Sequence, residues 1–103
     1  MERIIGIKAS DRDNVATIFR DVKKGDLITV LDKSGKEESI ISSDDIPYGH
    51  KIAVCDINTG DNIVKYGESI GGASSDIKKG DYVHLHNLES LRGRGDLAGE
   101  KRI

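Results

Sequence analysis

Residues 65–87 read KYGESIGGASSDIKKGDYVHLHN, and they carry both signals on which the fold and the function turn. The first is Asp76-Ile77-Lys78-Lys79-Gly80-Asp81, which runs straight into Tyr82-Val83-His84. The same phrase (Asp, then Ile or Val, two free positions, Gly, then Asp or His) also starts at Asp21, Asp45 and Asp56. Its branched residue tucks inward, its free positions tolerate solvent, and its Gly supplies a positive φ that other residues resist. The residue after it launches a strand, as in Leu27-Ile28-Thr29-Val30-Leu31 and Lys51-Ile52-Ala53-Val54. The copies are unevenly spaced, which argues against a solenoid array. The expectation is an all-β domain, barrel-like or a folded ribbon, of short strands joined by Gly-rich turns.

The second signal is the pair His84 and His86. In an extended chain, positions two apart share a face, which would set these imidazoles side by side with Val83, Leu85 and Asn87 turned away. Such a pair suits a metal ion or a polar substrate. It is equally consistent with two exposed or packed strand residues. Two ligands do not complete a metal site, so further donors would come from a partner or from His50, which follows Gly49 in a turn. His50 reads either as a surface loop residue or as part of the same mouth. Asn87 either orients substrate hydroxyls or closes the strand end. Lys51 and Lys65 would offer charge to a carboxylate, or merely solubilise. Gly71-Gly72 permits close backbone approach but is too short for a phosphate cradle.

Working outward, Arg3–Lys8, Asn14–Arg20 and Glu37–Ser42 read as further strands, and Asp32–Lys36 as another turn. Among 103 residues, 36% are hydrophobic and 4% aromatic, so one modest core must be packed from aliphatic side chains. Charged residues make up 33% with a net charge of only -2, which argues against capture of nucleic acid or an anionic membrane. No apolar run approaches the roughly 20 residues of a membrane span, and MERIIGIK lacks the shape of a signal peptide. A lone cysteine, Cys55, fits a reducing cytoplasm, and its apolar neighbours mark it as a small core residue. After Leu88 the chain turns charged and glycine-bearing. The expected division is therefore a domain over 1–88 and a flexible tail or partner-binding arm over 89–103. Arg94-Gly95-Asp96 within that tail reads as a chance tripeptide.

Several separated motifs occur in a familiar order: Asp13-Asn14-Val15-Ala16, Asp45-Ile46-Pro47 with Gly49-His50-Lys51, Asp56-Ile57, and Lys65-Tyr66-Gly67. They continue with Ile70-Gly71, Asp76-Ile77 with Gly80, and His84-Leu85-His86-Asn87. Together they resemble the SAF-type domain of the altronate/galactarate dehydratase family. Arg92-Gly93-Arg94-Gly95-Asp96-Leu97 resembles the segment that leads into the large catalytic domain of fused members. The resemblance implies a β-clip fold and elimination of water, or of sulfite, from a hydroxy acid. It also implies a divalent metal, typically Fe2+, and the role of a small subunit completed by a large catalytic subunit. On that reading His84 and His86 are catalytic residues or metal ligands, and His50, Lys51 and Asn87 contact the sugar acid. A stand-alone sugar-acid binding module, a sulfolactate sulfo-lyase small subunit and a purely structural domain are the alternatives. A homo-oligomer is compatible with each of them.

Overall fold

The computed structural model describes residues 3–90. Every regular element among them is a strand: β1 (Ile4–Ile7), β2 (Val15–Ile18), β3 (Leu27–Leu31), β4 (Glu37–Ile41), β5 (Lys51–Ala53), β6 (Asn62–Lys65), β7 (Glu68–Ala73), β8 (Tyr82–Val83) and β9 (Leu88–Ser90). Six of them form a sheet in the order β4-β3-β1-β2-β5-β8, and three form a second sheet, β6-β7-β9. β1 and β3 run parallel. The all-β expectation holds. The sheet continues through Ser90, whose strand pairs with β7, two residues past the boundary read from composition. The remainder of the expected arm lies outside the described residues. No helix among the described residues is long and apolar enough to cross a membrane.

The turn phrases explain the architecture, because they pair two by two. Val22 bridges Ile46 and Ile57 bridges Ile77, each antiparallel. The leading carboxylates cross over. Lys24 N donates to Asp45 Oδ1 at 2.9 Å and Tyr48 N to Asp21 Oδ1 at 2.8 Å, while Lys79 N donates to Asp56 and Thr59 N to Asp76, both at 2.9 Å. Each phrase thus caps the turn of its partner with a charge-assisted hydrogen bond. The closing Asp caps its own turn: Lys23 N reaches Asp26 at 2.9 Å, Lys78 N reaches Asp81 at 2.9 Å, and Asn58 N reaches Asp61 at 3.3 Å. The copy at Asp45 differs in a telling way. Pro47 stands where the others present that N–H, and proline has none to cap. Position 50 is thereby released from carboxylate duty and holds a histidine.

Strand alternation sends side chains to two aliphatic clusters. Ala16, Ile18, Ile28, Val30, Ile40 and Ile52 face one, with Val22 and Ile46 sealing it. Val15, Ala53 and Val83 point the other way, onto Ile63 and Ala73 of the smaller sheet and onto the bridged pair Ile57 and Ile77. Each fully buried Ile contributes about 1.5–3 kcal/mol, so a core without large aromatics suffices. Cys55 is a correction. Strand β5 ends at Ala53, and the cysteine falls beyond it, exposed rather than in the core. Although the residue is open, partial desolvation of its sulfur raises the thiol pKa, with Asp56 and Glu38 adding to the effect and Lys8 and Lys79 opposing it. A raised thiol is a poor nucleophile.

Asp13 and Asn14 turn out to be clamps. Asp13 is 4% exposed, and its carboxylate accepts from Tyr66 N at 3.0 Å, Gly67 N at 2.8 Å and Ser10 N at 3.1 Å. Tyr66 and Gly67 both take positive φ, 55° and 76°, as a tight hairpin between β6 and β7 requires. Asn14 Oδ1 accepts from Val64 N at 2.8 Å and its Nδ2 donates to Asn62 O at 2.9 Å, tying that hairpin to the end of β2. Asp13→Ala should therefore cost roughly 2–4 kcal/mol in chemical denaturation, since three backbone donors lose their acceptor. A loss under about 1 kcal/mol would mean that the hairpin holds itself.

Candidate functional site

Strands β5 and β8 pair antiparallel with Lys51 opposite Val83 and Ile52 opposite Tyr82. Carried one residue further, that register sets His50 against His84. Their ring centroids lie 4.7 Å apart at an interplanar angle of 51°. Tyr82 sits diagonally across from His50, within reach for a long side chain, and its hydroxyl lies 2.6 Å from His50 Nδ1. His84, two residues on from Tyr82, stacks against it at 5.6 Å and 9°. Alternation along the strand thus accounts for positions 82 and 84.

It fails at the next step. The chain is not extended through Asn87, as alternation predicts, but turns over residues 84–87, with Asn87 N and Leu88 N both donating to His84 O at 3.0 and 2.8 Å. The cause is the Asn87 side chain. Its Oδ1 accepts from His84 N at 3.0 Å and its Nδ2 donates to Tyr82 O at 2.8 Å, so the amide closes a local loop that competes with the ladder. At 6% exposure, with both ends of its amide bonded to backbone, Asn87 holds the loop rather than facing a substrate. His86 is carried around the turn and still lies against Tyr82, at 5.3 Å and 57°. Leu85, at the tip between the histidines, is 75% exposed.

The histidines are therefore gathered around a half-buried phenol that also packs on the first core cluster. Sequence reasoning missed Tyr82. Its place two residues before His84 is the signal that could have found it. Its own backbone is fixed by Asp44, whose Oδ2 accepts Tyr82 N at 3.0 Å. Lys51 lies on the adjoining strand. Burial lowers its pKa, and Lys65 lowers it further.

His84 has a lowered pKa too, first through desolvation and then through His50, Lys51 and His86. Folding thus disfavours its protonated form. The sign follows by linkage: the unfolded chain binds this proton more readily, so stability falls as pH drops through the ordinary value of 6.5. A proton NMR titration should place the His84 midpoint below 6.5. Lys51→Met should bring it part of the way back, because desolvation remains. A midpoint at or above the ordinary value would contradict this electrostatic picture.

The divalent metal that the resemblance implies would need donors beyond these residues. Among the described residues no three His, Cys, Asp or Glu side chains stand where they could hold a metal ion. His50 Nδ1 is, moreover, already engaged by Tyr82. A hollow of about 410 Å³ lies elsewhere, lined by Lys8, Val30, Asp32, Lys36, Glu37 and Glu38. Its carboxylates are already committed. Asp32 caps Ser34 and Lys36, Glu37 pairs with Arg3 at 3.1 Å, and Glu38 pairs with Lys79. The histidines line none of that hollow.

Comparison with known proteins identifies the family. The family model for the altronate/galactarate dehydratase SAF domain matches residues 4–91. The altronate dehydratase of Bacillus subtilis (strain 168) is 43% identical over 84 residues, which are 82% of this chain and 16% of that protein. The altronate dehydratase of Escherichia coli (strain K12) is 38% identical over 84 residues, and the chain again spans only 16% of it. The (2R)-sulfolactate sulfo-lyase subunit alpha of Paracoccus pantotrophus is 33% identical over 66 residues, covering 64% of this chain and 98% of that subunit. With the family model spanning all but one of the described residues, the chain belongs to the altronate/galactarate dehydratase SAF-domain family.

Proposed function

We propose that this chain is the SAF component of a carbon–oxygen lyase that dehydrates a sugar acid such as altronate in the cytoplasm. Its active site would be completed by a large catalytic subunit. The observation that carries the reading is the convergence of His50, His84 and His86 on Tyr82 at an open sheet edge. A partly exposed imidazole cluster needs covering before water can be excluded. The Paracoccus relative, named as a subunit and aligned over 98% of its length, supports a separate chain of this kind.

Elimination beside a carboxylate requires a base for a weakly acidic proton, positive charge for the enediolate-like intermediate, and a donor for the departing hydroxyl. His84, held toward its neutral form, is suited to accept a proton. Lys51 and Lys65 are close enough to interact and would engage the carboxylate. His86, exposed on the turn and 5.3 Å from the Tyr82 ring, would meet the substrate beside it. A divalent metal, iron by family resemblance, would take donors from the large subunit. Sulfite elimination, as in the sulfo-lyase relatives, needs the same base and charge with a different leaving group.

The test is reconstitution. The chain, mixed with a large dehydratase subunit, iron and altronate, should give turnover that neither chain gives alone. Equal turnover by the large subunit without this chain would overturn the proposal. The neighbouring Lys51 and Lys65 also favour a second reading, a stand-alone sugar-acid binding module. Calorimetry on the isolated chain discriminates: specific aldonate binding without a partner supports the module.

A further inference from the structure

We propose that Tyr82 is a positioning residue that locks His50 in its Nε2–H tautomer, so that His50 presents a hydrogen-bond donor, not an acceptor, to whatever occupies the site. The inference rests on the reading that this cluster is the working site, but its physical content can be tested without it. The two groups are 2.6 Å apart, phenol oxygen to Nδ1. Such a bond can run either way, with the phenol donating to a bare Nδ1 or Nδ1–H donating to the phenol oxygen. A phenol is much the stronger acid of the two neutral donors, with a pKa near 10. The better donor therefore gives its proton to the better acceptor. That leaves the hydrogen on Nε2, the nitrogen turned away from Tyr82.

The rest of the site is built to hold the phenol in place for this task. Both ends of the Tyr82 backbone are pinned, N–H by Asp44 at 3.0 Å and C=O by Asn87 at 2.8 Å. One side of its ring is covered by the His84 imidazole at 9°, and its inner edge packs on the first core cluster. His50 is fixed from behind as well. Its N–H donates to Pro47 O at 3.1 Å, and its C=O accepts from Ile18 N at 2.9 Å. A ring with a fixed backbone and one nitrogen engaged has a single direction left for the other. The consequence is a division of labour: a donor at position 50 beside an imidazole at position 84 that is free to accept. In an elimination the donor would stabilise developing negative charge through its hydrogen bond, keeping its own proton.

Long-range proton–nitrogen correlation spectra of the full-length chain report the tautomer directly, because protonated and bare ring nitrogens resonate far apart. The expected result is a His50 signal with Nε2 protonated and Nδ1 bare at a pH where the ring is neutral. In Tyr82→Phe, which keeps the stacking ring and loses only the hydroxyl, the two His50 nitrogen signals should move toward each other as both tautomers populate. A wild-type spectrum with Nδ1 protonated would overturn the proposal, as would a His50 pattern unchanged in Tyr82→Phe. The wild-type spectrum decides even if the variant folds poorly. In the reconstituted enzyme, Tyr82→Phe should lower kcat by up to about 100-fold with KM little changed, the signature of a misaligned group rather than a lost contact. An Nε2–H His50 in an assembly whose histidines prove dispensable would keep the tautomer lock and refute only the catalytic reading.

Discussion

Replacing His84 and His86 together with alanine should reduce turnover by the reconstituted enzyme by roughly 100-fold to 10,000-fold, the range for losing a positioned acid or base. The fold should barely notice. His84 is only half-buried and His86 exposed, so the main structural loss is the ring contact with Tyr82, worth about 0.5–1.5 kcal/mol. Near-native unfolding with collapsed turnover would separate a chemical role from a structural one. The single variants add resolution, because residues that act as one unit are strongly non-additive. If the two imidazoles serve one proton transfer, either single loss should cost nearly as much as the double. Association with the large subunit must be measured in the same samples, since Leu85 sits between the two histidines at the exposed tip of the turn. Full turnover in the double variant would sink the catalytic reading and leave a structural domain that stabilises its partner.

How much of this is legible in the chain depends on the range of the interaction concerned. Strand β3, Leu27–Leu31, is recognisable to the residue because a Gly-Asp turn launches it and branched residues fill it. The turn phrases are readable one at a time. Their pairing is not, because Asp21 caps Tyr48 and Asp56 caps Lys79 across gaps of 27 and 23 positions, which leave no periodic trace. Pro47 and His50, by which the copy at Asp45 differs from the other three, carry more information than the shared positions do. At position 50 an imidazole stands where the other copies place a capping carboxylate. The extended reading of Val83 to Asn87 fails for a local reason. An Asn three residues past His84 offers the backbone an acceptor that alternation cannot reveal. Cys55 fails similarly, since an apolar run says nothing about where its strand ends. The histidine cluster is partly visible in spacing alone, and so is Tyr82 beside His84, but the contact of Tyr82 with His50 needs the register of β5 on β8 to be seen.

Gly80→Ala should be among the most damaging single methyl additions in this domain, and the reason ties the turn phrase to the site. Gly80 has φ +96°, a conformation that costs a side-chain-bearing residue about 1–2 kcal/mol. A Cβ there would also stand 2.5 Å from the carbonyl oxygen of Ile41 and 3.3 Å from Ser43 Oγ. The first of these is backbone and cannot simply rotate aside. Adding the strain of overpacking brings the expected loss to roughly 3 kcal/mol or more. Gly60 is the control, at φ +91° in the equivalent place of another copy, where an added Cβ would meet nothing within 4 Å. Gly60→Ala should cost only the backbone term, a Tm drop of roughly 4–8 °C per kcal/mol for a domain of this size. Gly80→Ala should lower Tm at least twice as far. The segment that must yield includes Ser43, whose N–H donates to Gly80 O at 2.9 Å, and adjoins Asp44, which holds Tyr82 N. Pushing it away should therefore disturb the His50–Tyr82 hydrogen bond, visible in the histidine ring spectra, whereas Gly60→Ala should leave those signals in place. Equal Tm losses in the two variants would show that the Ile41 contact relaxes freely, and the link between this turn and the imidazoles would fall with it.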